Sequence, residues 1–454
     1  MIRIIKHNEI PSSFFETRSL GDDIHEIVNN ILQNVKSNGD SAIREYATKF
    51  DRANPQKLEI PHDYLKLCAD KLKERKPDLY DALTYSFTLA KNFAQKQKEC
   101  FTDFETELVP GVITGQKNIP VERAGLYIPA GKFPLMSSVI MCAAPATVAP
   151  CKEIILCTPP RLHPSAKGNP NSPHATKPWA DSGILAAAYI CGVHKVFACG
   201  GAQAIAAMTY GTQTVPKCDV IVGPGNKFVA EAKKIIFGTV GIDMIAGPTE
   251  VLIIANDSAN PEWVAADMLA QAEHDTDAQS VLVTTSSFLA QKVAEEIQKQ
   301  LSHLPTAATA KASIEKNGLI ILCENLAQAA EIANKKAPEH LELAMDNNDQ
   351  RKEMEKLCHN YGSLFIGHES AEVLGDYSAG LNHTLPTSGS ARFTGGLSVR
   401  MFLKTVTTLR IEPRTDGSMA AGAKRSAQVA ETLGKAEGLI AHSRAATYRL
   451  HNDN

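Results

Sequence analysis

Several groups of side chains in this sequence have the types and spacings needed to move protons or hold a cation. In APEHLEL (337–343), Glu339 and His340 stand side by side after Pro338. A carboxylate and an imidazole are both proton-transfer groups, and histidine titrates near neutral pH. In a regular strand neighbouring side chains point to opposite faces, so a kink after Pro338 is expected to aim both at one cavity. In AQAEHDTDAQ (270–279), Gln271 and His274 lie three residues apart on a helix predicted to start at Asn260 and Pro261, a good N-cap followed by a favoured first residue. They share a face, and His274 falls near the helix C-terminus, where the dipole favours a cation. A polar helix end facing solvent accounts for the same pattern, and glutamine is an uncommon zinc ligand. In GDYSAGLNHTLPTSGSARFTGG (375–396), Asp376 and His383 are candidate ligands or substrate contacts in a long glycine-rich loop. In AEGLIAHSR, Glu437 and His442 are five positions apart, roughly 140° around a helix, and do not share a face.

Two glycine turns suit a different ligand. FACGGAQA (197–204) and IVGPGNKF (221–228) each read as strand, tight turn and helix start. Such turns present backbone N–H groups and a helix N-terminus to a phosphate or other polar group. Neither is a full G-x-G-x-x-G, and no P-loop is present. The ten cysteines have irregular spacing and no C-x-x-C pair. They read as small core residues of a reducing compartment, so a metal would be held by histidine and oxygen donors.

The elements that must position these groups follow from the patterning. With 454 residues, two or more domains are expected. A net charge of −3 argues against a nucleic-acid or membrane-surface binder. No run of about 18 apolar residues is present and the N-terminus lacks a signal-like stretch, so the cytoplasm is the expected setting. The stripe Ile24, Ile27, Val28, Ile31, Leu32 and Val35 predicts a helix, and one or two more are expected from Leu65 to about Phe101. Beyond about Glu122, apolar runs at 153–158, 195–199, 218–222, 250–255, 280–285 and 318–323 alternate with helical patterns at 182–191, 201–210, 227–237, 261–274, 286–302 and 325–336. This alternation predicts an α/β fold with parallel sheets, two sheets in two domains. Residues 161–180 read as an exposed loop with solvated His163 and His174. The segment from about Ser398 is expected to be mostly helical, with one helix over 424–450.

The motifs GLYIPAG, GGAQAIAA, GPGNKFVAEAK, IDMIAGPTE, AQAEHDTDAQ, APEHLEL, GDYSAGLNHTLPT and AEGLIAH occur in this order between residues 121 and 442. Together they resemble the histidinol dehydrogenase family. The resemblance implies two NAD-dependent oxidations of L-histidinol to L-histidine through an aldehyde held in the site, the last steps of histidine biosynthesis. It implies one Zn2+ per site, bound by Gln271, His274, Asp376 and His442 and completed by substrate, with the metal orienting substrate. Thr249, His340, His383 and Glu437 match substrate contacts, alongside the metal ligands, and Tyr127, Gln203 and Asn226 match NAD contacts. His340 is implied as the base for both oxidations and Glu339 as the group that activates water. A cysteine route through Cys142 or Cys191 is not supported by the resemblance. The implied fold has two Rossmann-like, aldehyde dehydrogenase-like domains: residues 1–127 with 250–397, and 128–249. Residues 398–454 are implied to dimerise an intertwined homodimer with shared active sites, Glu437 and His442 coming from the partner. Thr249 stands where the family usually has serine, 161–180 looks like an insertion, and 400–410 lacks an expected acidic residue near 401. A relative that oxidises another small polar alcohol, such as a sulfonated diol, and a zinc hydrolase without NAD are the competing readings.

Overall fold

The computed structural model describes residues 2–16, 22–131 and 134–451. The chain forms two compact units. Met1–Lys96 with Val121–Phe402 make the first, and Gln97–Pro120 with Leu403–Asn454 make the second.

The first unit holds two six-stranded sheets. One runs in the order Arg3–Lys6, Leu319–Leu322, Gln279–Thr284, Glu250–Ala255, His340–Ala344 and Ser363–Ile366, all parallel. Its inner strands Leu319–Leu322 and Glu250–Ala255 read as apolar runs because both faces are covered. Val251 and Ile253 pack on one side with Met268 and Leu269 of the Pro261–Ala272 helix and Val293 of Ser287–Leu301. Leu252 and Ile254 pack on the other with Ala329 of Leu326–Lys336 and Met354 of Asp349–Leu357.

The second sheet runs Glu59–Ile60, Lys195–Ala198, Glu153–Thr158, Arg123–Tyr127, Val220–Val222 and Gly241–Ile242. Only the Glu59–Ile60 edge is antiparallel. Numbered by chain order, the five parallel strands run 3-2-1-4-5. The five strands of the first sheet from Glu250 onward do the same. This is the strand order of dinucleotide-binding folds, whose ligand crevice opens where the order reverses. The Asp22–Asn38 helix carries the stripe read from the sequence except Ile27, which is exposed, and Val28, Leu32 and Val35 pack beneath Ile155, Phe197 and Ile221 of this second sheet.

The predicted strands and helices between residues 150 and 336 fall where expected, with ends shifted by a few residues. Added to them are strands at Arg3–Lys6, Arg123–Tyr127, His340–Ala344 and Ser363–Ile366. Residues 161–180 are only partly an exposed loop. Ala166, Ala175, Trp179 and Ala180 are buried, and His163 packs edge-on against Trp179, ring centroids 5.0 Å apart.

The second unit corrects the expectation of a mostly helical C-terminal segment. Leu403–Ile411 is a nine-residue strand paired antiparallel with Val112–Pro120, which pairs in turn with Phe104–Val109. The single helix expected over 424–450 is two, Ala421–Ala436 and Ile440–Leu450. Gly438, at φ 74°, breaks the chain between them. At Gly434 the two helices approach so closely that an added Cβ would lie 2.9 Å from the Ser443 backbone nitrogen. No helix among the described residues is long and apolar enough to cross a membrane.

Candidate active site

The expected proton-transfer pair sits at the amino end of the His340–Ala344 strand of the first sheet, beside the amino end of its neighbour Glu250–Ala255. Ala337 ends the Leu326–Lys336 helix in a left-handed conformation, φ 52°. The kink therefore lies one residue before Pro338. It lets Glu339 and His340 turn toward one site although His340 already opens the His340–Ala344 strand. That strand pairs with Glu250–Ala255, with His340 opposite Val251, so Thr249 and Glu250 lie alongside.

Glu339 is buried, and its two hydrogen bonds converge on one oxygen. Oε2 accepts from the Thr249 hydroxyl at 2.5 Å and from the Glu250 N–H at 2.9 Å. Thr249 Oγ1 in turn accepts from the Gln271 side-chain amide at 3.0 Å. Burial pushes the Glu339 carboxyl up to about 7, opposed by the His340 charge and these hydrogen bonds. A carboxyl held there is poised to take a proton near neutral pH.

His340 is buried as well. Its Nδ1 lies 3.2 Å from the Glu250 carbonyl, which accepts the Nδ1–H, and 3.3 Å from Gln271 Nε2. In the neutral ring that contact leaves Nε2 as the basic nitrogen. Nε2 is buried, has no hydrogen-bond partner, and lies 3.7 Å from Asp376 Oδ1, too far for a hydrogen bond. Burial pulls the imidazole down, but Glu339, Asp376 and Glu372 outweigh it and raise it to about 10.

The remaining groups of the first unit arrive from three elements. The last turn of Pro261–Ala272 brings Gln271, and His274 follows it. The short helix Glu372–Tyr377 brings Asp376, and the loop behind it brings His383. His383 Nδ1 lies 3.1 Å from the Asp376 carbonyl, and its Nε2 lies 3.3 Å from Ser138 Oγ of the Met136–Val148 helix. Surrounding protein lowers the pKa of His274 and of His383, which keeps both imidazoles neutral. For Asp376, burial is outweighed by His340, His383 and His274, and its carboxyl is held below the usual range.

Three acids behind these groups escaped the sequence reading. Glu372 Oε2 is buried, unpaired and 3.7 Å from His340 Nδ1. Glu342, two residues beyond His340 on the same strand face, accepts the Glu372 N–H at 2.9 Å. Asp267 stands one helical turn before Gln271 and acts electrostatically on both. Burial raises all three, Glu372 to about 8 and Asp267 to about 7. Spacing alone held the signal: Glu372 precedes Asp376 by four residues, and Asp267 precedes Gln271 by four.

The glycine turns lie at the carboxyl edge of the second sheet. The Tyr127 hydroxyl accepts from Gly201 N–H at 3.0 Å, and Gln203 is buried in the next turn of the same helix. The Asn226 side chain caps the Lys227–Ile236 helix, accepting from Phe228 and Val229 N–H at 3.1 and 3.2 Å. Gly223 is at φ 119°, and an added Cβ would fall 2.1 Å from the Tyr127 carbonyl oxygen. The buried Lys233 and Asp243 form an ion pair and bind the two sides of Gly223, its carbonyl and its N–H. A cleft of about 770 Å³ runs from Asn226 and Phe228 past Gly247 and Pro248 to Asp275. A second, of about 660 Å³, opens on His274 between Leu83, Met136 and Tyr377. Both fall in the range of small-molecule and cofactor sites.

The histidinol dehydrogenase family model matches residues 16–450. The chain is 44% identical over 435 residues to a histidinol dehydrogenase of Aquifex aeolicus (strain VF5), covering 95% of this chain and 94% of that one. It is 43% identical over 427 residues to one of Streptococcus mutans serotype c, covering 94% and 93%. A crystal structure of histidinol dehydrogenase from Elizabethkingia anophelis superposes with a TM-score of 0.86 at 33% identity, over 99% of this chain and 98% of that one. The chain belongs to the histidinol dehydrogenase family.

A histidinol dehydrogenase is an NAD-linked oxidoreductase, and the two Rossmann-type sheets are the scaffold such a reaction needs. Buried thiols do not compete for the chemistry. Burial pushes Cys142 and Cys191 well above the ordinary thiol range, away from the thiolate a covalent route requires. Among the described residues, no group of three or more His, Cys, Asp or Glu side chains is arranged to hold a metal ion. The expected ligand set has only two such residues in the first unit, His274 and Asp376, because its third member is the amide Gln271. Glu437 and His442 belong to the second unit. Glu437 caps the end of Ala421–Ala436, and His442 is exposed on Ile440–Leu450. The break at Gly438 puts them on different helices, so the 140° separation expected on one helix does not apply.

Proposed function

We propose that the chain oxidises L-histidinol to L-histidine in two NAD-linked steps, in the cytoplasm, as the end of histidine biosynthesis. The observation that carries this reading is His340 Nε2, a buried imidazole nitrogen with no partner, beside a buried carboxyl near pKa 7. With the imidazole in its neutral form, such a pair is suited to accept an alcohol proton and then to activate water for the aldehyde step.

The donor set supports a zinc ion. Gln271, His274 and Asp376 offer an amide, a neutral imidazole and an ionised carboxylate, all groups that bind zinc. Asp376 is ionised and Glu339 partly so near neutral pH, and a cation bound beside them would be attracted by both. His442 is the fourth proposed ligand, and Glu437 a substrate contact, both given by the second subunit of a homodimer with shared sites. When bound, zinc orients the substrate and offsets the Asp376 charge that helps keep His340 protonated, and NAD takes up hydride.

The chain's own groups then divide the work. His340 Nε2 takes the hydroxyl proton in each oxidation, its ring held by the Glu250 carbonyl. Glu339 deprotonates the water that adds to the aldehyde, its carboxyl fixed by Thr249 and Glu250. Thr249 also ties Gln271 to Glu339 through one hydroxyl, which couples metal ligand and base. His383 lies within charge range of Asp376 and contacts substrate. Tyr127, Gln203 and Asn226 hold the dinucleotide at the glycine turns. The test is NADH absorbance with zinc-loaded protein. Two NADH per L-histidinol are expected, and no NADH with L-histidinol refutes the reading.

A further inference from the structure

The Asp22–Asn38 helix leads through Asp40–Tyr46 into a turn of five residues, Ala47–Asp51, wound as π-helix. Arg52 closes it in the left-handed region, φ 53°. The chain then returns as the edge strand Glu59–Ile60, antiparallel to Lys195–Ala198, with Glu59 opposite Phe197 and the Ala198 N–H donating to the Leu58 carbonyl. Antiparallel pairing sends the residues before Leu58 past the carboxyl end of that strand. Asp51 is thereby carried toward the edge where the Gly200–Gly201 turn begins. Its charge acts on the Cys199 thiol and on the Tyr127 hydroxyl, the group that accepts from Gly201 N–H.

Asp51 Oδ2 is buried and has no hydrogen-bond partner. Burial with no compensating donor pushes the carboxyl up to about 6. A second acid of the same segment behaves differently. Asp40 is buried, where Asp51 as a whole is half-buried, and its oxygens accept from the Thr212 hydroxyl, the Thr214 N–H and the Thr214 hydroxyl. Asp40 thus has the full set of partners expected of a structural acid. An unpaired buried carboxyl costs stability, and such a cost in a fold points to a partner that arrives later.

We infer that Asp51 contacts the cofactor, its carboxylate accepting from the vicinal hydroxyls of the adenosine ribose and disfavouring a 2′-phosphate. A carboxylate near the first strands of a Rossmann sheet is chemically suited to this, since it pairs with a diol and repels a phosphate. The inference rests on the reading that NAD binds at the glycine turns of the second sheet.

The test uses the zinc-loaded enzyme and three variants. In Asp51→Asn, the NADH dissociation constant is expected to rise about tenfold or more, as for loss of a hydrogen bond to a charged group. The NAD over NADP ratio of kcat/KM falls with it, Asp51→Glu recovers part of both, and Tm stays at or above that of the parent. Asp51→Ser gives the same readouts should the Asn variant fail to fold. An unchanged NADH dissociation constant and NAD/NADP ratio overturn the inference. So does a loss of NADH binding accompanied by an equal loss of L-histidinol binding and a lower Tm. A parent enzyme that makes no NADH from L-histidinol refutes the proposed function instead.

Discussion

Replacing Glu339 with glutamine separates the two half-reactions because of how its oxygens are used. Both hydrogen bonds, from the Thr249 hydroxyl and the Glu250 N–H, go to Oε2. A glutamine carbonyl oxygen takes over both, so the change falls on Oε1, which becomes an NH2 that accepts no proton. The first oxidation, served by His340, is expected to continue. The conversion of L-histidinal is expected to slow by about a thousandfold, within the range that general-base catalysis contributes. In the parent enzyme this second step depends on ionised Glu339. It should fall about tenfold per pH unit below about 7 and level off above it, whereas the glutamine enzyme lacks that rise. The stability sign follows from the same raised pKa. The folded carboxyl holds its proton up to about 7, the unfolded one only to about 4.5. The parent therefore loses stability as pH rises between those values, and the neutral glutamine does not. Above pH 8 the variant should be more stable by on the order of 3 kcal/mol. Single-turnover NADH formation from L-histidinol and from L-histidinal reads the first effect, and thermal denaturation across pH reads the second. Equal loss of both half-reactions refutes the division of labour between Glu339 and His340.

Three further outcomes follow from the geometry. Thr249→Val removes the hydroxyl joining Gln271 to Glu339 and should cost about tenfold or more in kcat/KM, while Thr249→Ser spares most activity; equal effects in steady-state kinetics would contradict the bridge. Gly223→Ala forces a Cβ to within 2.1 Å of the Tyr127 carbonyl at φ 119°, so NADH binding titrations should show a large loss with thermal destabilisation of more than about 2 kcal/mol. His442→Asn should lower zinc content by elemental analysis, and mixing it with Glu339→Gln subunits should restore activity if sites are shared; refolded mixtures without recovery count against sharing.

The legible parts of this fold are those whose physics is local. The strands Glu153–Thr158 and Glu250–Ala255 are covered on both faces and so stand out as apolar runs. Leu403–Ile411 was missed because most of its residues are exposed and its partner, Val112–Pro120, lies nearly 300 residues away in sequence. Exposed alternation of Thr, Lys and Leu does not separate an edge strand from a charged helix. The site follows the same division. Glu339 and His340 became significant only within an ordered set of motifs, since nothing in the dipeptide specifies the Glu250 carbonyl or Thr249 as partners. Glu372 was overlooked because its meaning depends on a register, Glu342 two residues after His340, which only the assembled sheet reveals.

The two sheets share one strand order yet use opposite ends, and helix polarity accounts for this. At the carboxyl edge of the second sheet, helices begin at Gly201 and Lys227, and their positive dipole ends suit a pyrophosphate. At the amino edge of the first sheet, helices end instead. Pro261–Ala272 finishes beside Gln271 and His274, and Leu326–Lys336 finishes just before Glu339 and His340. Helix C-termini present carbonyls and a negative dipole end, which favours a cation over an anion. On the proposed reading, a sheet order known for holding dinucleotides offers, at its other end, a place for a metal and a base. The proposed reaction needs both ligands, an anionic dinucleotide and a cation, and helix polarity at the two ends of one repeated architecture suits one to each.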